Sequence, residues 1–418
     1  MKNKFLLLIV LILPLISFSQ NKDEVKNIPV TISGFVKSDM FWDSRQIVAA
    51  REGHFFYFPA AEALDPDGID INATPSFNFL AIQSRIAVKF AGPEKGDTKF
   101  KKSGLIEGDF FGQTNENINL FRLRHAYVTF TSKHLEFLFG QYWIPMFIPS
   151  CSPNTISFNT GSPIQPFGRN PQARMTLKFG GFNITGIASA QRDNSNVGIG
   201  GIRSGAYLSN SLLPEFDIQT SYERDNVDAK TGLSIGLSGG YKKLLPQLKT
   251  PQGYKSQDYV ESYMGMAFMK IKIPEISLKL MGIYGQNISD VLSIGGFAVT
   301  DSIDLVRGFV EYTPLTTMSF WADIQTNGKR IEFGVFGGYT QNLGSEKEII
   351  GDTYIFGKNI ASLYRVSPRI VLMGEKVKFA FEAEYTVAAY GTPNSMGVPV
   401  DTKSVTNIRY LFAVYYIF

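Results

Sequence analysis

The fold is decided by two neighbouring segments, Gly104-Leu-Ile-Glu-Gly-Asp-Phe-Phe-Gly112 and Ile118-Asn-Leu-Phe-Arg-Leu-Arg-His-Ala-Tyr-Val-Thr-Phe130. In both, polar residues alternate with aliphatic and aromatic ones at the two-residue period that a β-strand places on opposite faces. One face of the predicted sheet therefore collects the charged side chains, which are Glu107, Asp109, Arg122 and Arg124. Such a sheet fits either a soluble β-sandwich with its apolar face inward or a membrane barrel with its apolar face outward.

The irregular segment that follows these strands has an unusual composition. After a third strand, Leu135 to Tyr142, residues 143–172 contain six prolines and cannot continue a helix or a central strand. A structureless loop of this length is usually either functional or disordered. Because this one is rich in Phe and Ile, we expect it to be packed. We predict that it folds into the lumen of a wide barrel as a constriction loop.

The N-terminus has the pattern of a targeting segment. Residues 1–20 combine Lys2 and Lys4 with the apolar run Phe5 to Ile16 and small residues before Gln20, which predicts a cleaved signal peptide. An uncleaved membrane anchor is the alternative, but the apolar run is shorter than a spanning helix needs. Without Lys2 and Lys4, 39 of the 41 basic residues remain against 37 acidic ones, a balance that argues against nucleic-acid binding.

The rest of the chain, residues 21–418, is predicted to be one β-barrel. We find no domain boundary, and the mean hydropathy of −0.02 fits strands with one apolar and one polar face. Seventeen candidate strands are predicted: 30–42, 79–91, 105–112, 118–131, 135–142, 173–179, 182–191, 215–224, 232–241, 259–273, 275–285, 303–312, 318–326, 331–341, 360–373, 377–388 and 405–418. A closed outer-membrane barrel needs an even number, so we expect about sixteen strands and one false prediction.

The connections between the candidate strands differ in length. Tight turns are predicted at 179–182, 273–275 and 325–329, where Gly, Pro and Asn occur. Long polar connections are predicted at 43–78, 193–214, 244–258, 342–359 and 389–404. Short turns on one rim and long loops on the other are typical of outer-membrane barrels.

The last strand distinguishes a membrane barrel from a soluble sandwich. In Asn407-Ile-Arg-Tyr-Leu-Phe-Ala-Val-Tyr-Tyr-Ile-Phe418, every second residue from Ile408 is apolar or aromatic, and the chain ends on Phe. This ending resembles the C-terminal strand by which outer-membrane proteins are recognised for insertion. The sequence therefore favours an all-β transmembrane barrel.

Several short motifs resemble those of one porin family. They are Ser33-Gly-Phe-Val-Lys-Ser-Asp39, Gln83-Ser-Arg85, Ile106-Glu-Gly-Asp-Phe-Phe111, Leu123-Arg-His-Ala-Tyr127 and Gly140-Gln-Tyr-Trp143. The chain thus resembles the trimeric DcaP-like porins and, more distantly, the phosphate-selective porins, although it lacks a dense run of lysines. The resemblance implies a sixteen-stranded homotrimeric barrel in outer-membrane lipid, with an inward-folded third loop and a preference for small anionic or dicarboxylate solutes. The end of the signal segment resembles that of Bacteroidota proteins.

Arginines on the inward face are the best candidates for a functional role. A ladder of permanently charged guanidinium groups opposite carboxylates would create a transverse field that selects anions. The predicted pore-lining residues are Arg85, Glu107, Asp109, Arg122, Arg124, Arg169, Arg174, Arg307, Arg365 and Arg369. Arg409 also has inward parity, and Arg169 is placed where it would project into the constriction. The alternative is that Arg122 and Arg124 only pair with Glu107 and Asp109 in a wall lattice.

Few residues suggest catalysis or metal binding. His54, His125 and His134 are scattered, and no His or Cys cluster has metal-ligand spacing, so we predict neither an enzyme nor a cofactor. Asp65 to Asp70 is acidic, but its spacing departs from that of a helix-loop-helix calcium loop. The sequence thus predicts a passive-diffusion porin for small anions. The alternatives are a surface adhesin or receptor that uses residues 43–78, and a hydrolase that uses His125.

Overall fold

The computed structural model describes residues 29–92 and 99–418. The predicted signal peptide, residues 1–20, lies outside these ranges. Within them, no helix has the length and apolar character needed to cross a membrane.

The described residues form strands joined by turns and loops. The strands are β1 (Val30–Asp43), β2 (Ile47–Ala50), β3 (Phe55–Pro59), β4 (Ser76–Leu80), β5 (Arg85–Ala91), β6 (Lys101–Asp109), β7 (Arg122–Thr131), β8 (Leu135–Trp143), β9 (Arg169–Phe179), β10 (Phe182–Ser189), β11 (Glu215–Asn226), β12 (Thr231–Leu244), β13 (Val260–Lys272), β14 (Ile276–Gln286), β15 (Gly295–Asp304), β16 (Phe309–Thr326), β17 (Ile331–Ser345), β18 (Thr353–Phe356), β19 (Ile360–Met373), β20 (Val377–Pro393) and β21 (Pro399–Ile417). Within residues 29–92 and 99–418, helical structure is limited to α1 (Ala206–Ser209) and the single 3₁₀ turns Ile71–Ala73, Pro149–Cys151, Ile199–Gly201 and Ile288–Val291.

Sixteen of the strand positions form a closed antiparallel barrel, which confirms the predicted fold class. β4 and β5 both pair with β1 and together act as one wall strand, interrupted at residues 81–84. The wall then continues through β6 to β14, β16, β17 and β19 to β21.

The barrel closes where β1 pairs with β21. Their register runs from Phe35 opposite Ile417 to Asp43 opposite Arg409. The terminal residue takes part in this seam, because the amides of Gly34 and Phe418 donate hydrogen bonds of 3.0 and 3.1 Å to each other's carbonyl oxygens.

Of the seventeen candidate strands, the false prediction is Ile303 to Tyr312. Its first residues end β15, residues 305–308 form a hairpin turn, and Phe309 begins β16, which continues without interruption to Thr326. The predicted segments 303–312 and 318–326 therefore share one wall strand. β15 pairs with β16 and β18 and belongs to a loop hairpin on the rim.

The two faces of the wall follow the predicted alternation. In β20, Phe379 and Phe381 are more than 40% exposed on the outside, whereas Glu382 and Glu384 are fully buried inside. β21 repeats the pattern, with Tyr410 and Phe412 outside and Arg409 and Leu411 inside.

The two rims differ as expected. On one rim, strands join through residues 132–134, 180–181, 227–230, 273–275, 327–330 and 374–376. Gly180 and Gly181 have φ of 54° and 100°, as a type I′ hairpin turn requires. The other rim carries the long loops, but the predicted loop 389–404 is wrong. β20 and β21 stay paired as far as Pro393 and Pro399, so only residues 394–398 form the connection.

Candidate pore and its constriction

Loop 3, residues 144–168, leaves the wall after β8 and crosses the lumen to the opposite side. Two carboxylates of β20 hold its middle. The amides of Ile156 and Ser157 donate hydrogen bonds of 2.8 and 3.0 Å to Glu382, and the side-chain amide of Asn159 donates one of 2.8 Å to Glu384. The inward-folded third loop is thus confirmed, and its position is fixed from the far wall.

Other strands hold the rest of loop 3. The indole N–H of Trp321 donates to Gln165 at 2.6 Å, and the ammonium group of Lys279 donates to the carbonyl oxygen of Ser152 at 2.7 Å. Cys151 is fully buried, with its Sγ 3.4 Å from the carbonyl oxygen of Met269. Desolvation raises the pKa of this thiol to about 11.

Apolar packing supports these polar anchors. Phe147 stacks on Trp143 and Phe158 stacks on Phe111, each with ring centroids 3.9 Å apart. Burial of a large apolar side chain contributes about 1.5–3 kcal/mol. The inner wall is itself apolar on this side, where Met264, Met266 and Phe268 of β13 are buried, so the lumen contains a hydrophobic core.

Loop 1, residues 44–75, also enters the lumen. Its hairpin of β2 and β3 buries Phe55, Phe56 and Phe58, and Phe55 packs edge-on against Phe158 of loop 3. Arg365 of β19 donates a hydrogen bond of 2.8 Å to the carbonyl oxygen of Tyr57. The expectation of a simple long polar loop at 43–78 is wrong for this hairpin, because its Phe-Phe-Tyr-Phe run is apolar enough to pack inside.

An open cavity of about 470 Å³ lies in the barrel beside loop 3. Its charged lining residues are Arg85, Arg124, Arg369, Lys378 and Glu332. Arg85 and Arg124 come from β5 and β7, whereas Arg369 and Lys378 come from β19 and β20 on the other side of the β1–β21 seam. The loop contributes Asn154, Ile156, Phe158 and Thr160, among others. The cavity therefore has cationic groups on two walls and a partly apolar side.

The predicted wall residues of β6 and β7 form a dense ion-pair lattice. Arg124 contacts Glu107 at 2.7 Å and Asp109 at 2.8 Å, and Arg122 contacts Asp109 at 2.8 Å. Arg85 is 3.7 Å from Glu107. All five side chains face inward as predicted, and four of them, Glu107, Asp109, Arg122 and Arg124, also form the wall lattice of the alternative interpretation.

Arg169 and Arg174 lie at the return of loop 3 to the wall. Arg169 contacts Asp193 at 2.9 Å and lies 4.8 Å from the ring centroid of Trp143, and only 1% of its side chain is exposed. The expectation that it projects into the constriction is therefore wrong. Arg174 donates hydrogen bonds to Gln172 and to the carbonyl oxygen of Trp143. Both residues stabilise the base of the loop.

The remaining inward-parity and predicted arginines have four different environments. Arg369 makes a two-point contact with Asp323 at 2.8 and 2.9 Å and still lines the cavity. Arg365 is fully buried and donates to the carbonyl oxygen of Ser162 at 2.8 Å, which ties loop 3 to β19. Arg307 lies in the exposed turn after β15, outside the barrel wall. Arg409 pairs with Asp43 at the seam.

Sequence reasoning missed other charged residues near the constriction. Lys378 has the inward parity that alternation in β20 predicts. The predicted pore-lining set omits it because the only cationic residues in that set are arginines. Arg51 belongs to loop 1 and Asp193 to loop 4, residues 190–214, where no periodicity indicates a direction. Burial opposes ionisation of Asp193, but Arg169 and Arg122 outweigh it and lower the pKa of this carboxyl group.

The histidines do not form a site. His125 packs among the rings of Tyr127, Tyr142 and Trp143, and His54 is buried with its Nε2 3.1 Å from Asp39. No group of three His, Cys, Asp or Glu side chains within residues 29–92 and 99–418 is arranged to hold a metal ion. In the Asp65 to Asp70 segment, Asp65 and Asp70 accept hydrogen bonds from nearby backbone amides.

Comparison with solved structures identifies the fold. The outer membrane channel DcaP of Acinetobacter baumannii superposes with a TM-score of 0.69 at 16% identity, over 94% of this chain and 98% of that chain. The anion-selective porin from Comamonas acidovorans gives 0.52 at 10%, over 94% and 100%. The trimer form of OmpT, an outer membrane protein of Vibrio cholerae, gives 0.53 at 8%, over 94% and 99%.

No protein-family model and no curated protein sequence matches this chain. The likeness thus concerns the fold, which is the fold of outer-membrane porins.

Proposed function

We propose that this protein is an outer-membrane porin that allows passive diffusion of small hydrophilic solutes and favours anions. The observation that carries the proposal is the open cavity beside loop 3, which is lined by four cationic side chains and one carboxylate. Charged groups are tolerated on a barrel's inner face where water reaches them, and rings of arginine and lysine favour anion passage.

The outer-membrane location rests on the outer surface of the barrel. The wall exposes apolar and aromatic side chains along its outside and buries charged ones inside. Such a surface is stable in lipid, and closure of the sheet pairs the backbone groups that lipid cannot solvate. In this orientation, the rim with the long loops faces the exterior of the cell.

A solute with two separated anionic groups would fit the cavity well. Arg85 and Arg124 lie on one wall, whereas Arg369 and Lys378 lie on another. Cations on two sides can contact both ends of a dicarboxylate, and the aromatic surface of loop 3 can contact its apolar middle. This arrangement supports the dicarboxylate preference that the family resemblance implies.

A homotrimer is the proposed assembly. The Vibrio cholerae protein of the same fold has a trimer form. In this chain, Phe110, Leu120 and Phe121 of loop 2, residues 110–121, are exposed, as are the outward Phe77 and Phe79 of β4. Loop 2 lies on the long-loop rim, where exposed apolar residues are unfavourable unless another protein covers them.

The two alternatives gain less support. The adhesin or receptor hypothesis relies on residues 43–78, but residues 54–56, 58 and 59 of that segment are buried in the lumen and unavailable to a partner. The hydrolase hypothesis relies on His125, whose ring packs against the rings of Tyr127, Tyr142 and Trp143.

The proposal is tested with the purified protein in a planar lipid bilayer. Stepwise conductance increments in potassium chloride are expected, together with uptake of small charged solutes by liposomes that contain the protein. An absence of both would overturn the porin function and leave the receptor hypothesis as the better one.

A further inference from the structure

Arg51, at the tip of the β2–β3 hairpin, has a different environment from the other arginines near the constriction. No hydrogen bond or ion pair joins its side chain to any described residue, and its Nε is buried without a partner. Its guanidinium lies 5.6 Å from the ring centroid of Phe111. The guanidinium of Arg122 lies 4.7 Å from the same ring centroid, so two cationic groups contact one aromatic ring.

The nearby carboxylates are already occupied by other arginines. Glu107 contacts Arg85 and Arg124, Asp109 contacts Arg122 and Arg124, and Asp193 contacts Arg169 and Arg122. Together with Arg51, this group contains five arginines and three carboxylates, which leaves two positive charges uncompensated. Arg51 is the member of the group without any carboxylate contact within ion-pair distance.

The backbone at Arg51 is strained, which suggests that its side chain is needed. Arg51, Glu52 and Gly53 have φ of 55°, 51° and 86°, all in the left-handed region. Gly and Asn adopt this conformation at lower cost than Arg or Glu. Residues held in such conformations cluster at functional sites, and an arginine here is not explained by turn formation.

Arg51 and Arg122 lie on the side of the cavity from which a solute would enter through the long-loop rim. Asp109 ends β6 and Arg122 begins β7, so both lie at the rim that carries the long loops. Arg122 also lies 5.7 Å from the ring of Phe158, which lines the cavity. A solute that arrives from the long-loop side would therefore meet Arg51 and Arg122 before it reaches the cavity.

We propose that Arg51 and Arg122 form an outer anion site, which binds the oxyanion head group of a solute on the long-loop side of the constriction. This inference rests on the proposed porin function. A guanidinium presents a planar set of N–H donors that matches the oxygens of a carboxylate or phosphate. The Phe111 ring contacts the guanidinium groups of both Arg51 and Arg122 and helps to fix their positions. Loop 1, and not loop 3 alone, then determines which solutes enter.

The test uses single channels of the full-length protein in a planar bilayer, with chloride as the permeant ion and inorganic phosphate as the blocking probe. Phosphate is added to one chamber and then to the other. In the unchanged protein, we expect block at a lower concentration from one side. In Arg51→Asn, the half-blocking concentration from that side should rise about tenfold, the loss expected for one charge-assisted hydrogen-bonding group.

The choice of variants keeps the result interpretable. Asn suits the left-handed backbone, so Arg51→Asn should keep the hairpin while it removes the cation. Arg51→Lys keeps the charge and should recover part of the block, and Arg307→Gln removes an exposed arginine outside the barrel wall and should change nothing. Equal block in Arg51→Asn and the unchanged protein would overturn the outer anion site. An unchanged protein without any chloride current would instead overturn the porin function.

Discussion

At the residue scale, the lumen contains two groups of cationic side chains. Arg124, Arg369 and Arg409 contact carboxylates at 2.7–2.8 Å, and these contacts fix the wall. Lys378 lines the cavity and has no carboxylate within ion-pair distance among the described residues, so its charge is available to a solute. Selectivity should therefore depend on a small subset of the lumen charges.

Lys378→Gln should weaken anion preference without unfolding the barrel. The chloride-to-potassium permeability ratio is expected to fall about two- to fivefold, which is the effect of one charge screened by water and salt. The ratio is obtained from single-channel reversal potentials. Lys347→Gln, which removes an exposed lysine paired with Glu311 on the outer rim, is the matched control and should leave the ratio unchanged. Equal ratios in both variants would contradict the assignment of Lys378.

Arg409→Leu should destabilise the barrel at its seam. Arg409 donates hydrogen bonds of 2.9 and 2.7 Å to Asp43, its register partner across β1 and β21, and both side chains are buried. Loss of the arginine leaves a buried carboxylate without its ion-pair partner, which costs about 3–5 kcal/mol. The free energy of unfolding is measured in urea, and the fraction of folded barrel is read from its mobility on a gel.

The double variant Asp43→Leu with Arg409→Leu supplies the control for this experiment. It removes both charges together, so a large part of the lost stability should return. If the double variant were as unstable as the sum of the two single ones, the pair would not act as a unit.

These residue roles also mark the limit of sequence analysis. Alternation correctly places Glu107, Asp109, Arg122 and Arg124 on the inner face, because parity depends only on the strand period. It does not give their partners, since pairing depends on register and on the bulge between Glu107 and Gly108. Arg51 and Asp193 lie in loops, where no period applies.

At the element scale, loop 3 is held from across the barrel. Glu382 accepts hydrogen bonds from two consecutive loop amides, so its loss leaves two buried donors unpaired at once. Apolar packing of Phe147 and Phe158 remains, and the loop should loosen instead of leaving the lumen. Conductance of such a channel should be larger and noisier.

Cys151 provides a direct probe of this loosening. Burial and a pKa of about 11 leave little thiolate at pH 8, so a methanethiosulfonate reagent should label the folded protein slowly. In Glu382→Ala, the labelling rate should rise at least about tenfold, in line with the loss of buried hydrogen bonds. Glu311→Ala, on the outer rim, is the control. Equal rates in the two variants would show that Glu382 is not needed to hold the loop.

Sequence patterns predict the packing of loop 3 better than that of loop 1. The prolines and aromatics of residues 143–172 indicate a packed irregular loop. The structure confirms such a loop for residues 144–168, whereas Trp143 ends β8 and residues 169–172 belong to β9. Loop 1 has the same kind of signal in Phe55-Phe-Tyr-Phe58, but the polar residues around this run conceal it. The false strand at 303–312 has a related cause, because β15 alternates like a wall strand although its hairpin extends beyond the barrel.

At the scale of the whole molecule, the apolar surface near loop 2 leads to a prediction about assembly. If Phe110, Leu120 and Phe121 contact a neighbouring copy, the native protein in mild detergent should have the mass of three chains. Leu120→Ser together with Phe121→Ser should then shift the mass toward one chain, because polar side chains weaken an apolar contact. Light scattering coupled to size-exclusion chromatography measures the mass. A single-chain mass for the unchanged protein would contradict the trimer.

The central claim is that the lumen is an open, anion-favouring channel, and the reversal potential of single channels under a potassium chloride gradient tests it most directly. The excess of five arginines over three carboxylates around Arg51, together with Lys378, predicts a reversal potential of the sign for chloride selectivity. A smaller value at high salt is also expected, because salt screens exposed charges. A reversal potential of the opposite sign, which would indicate potassium selectivity, would contradict the account.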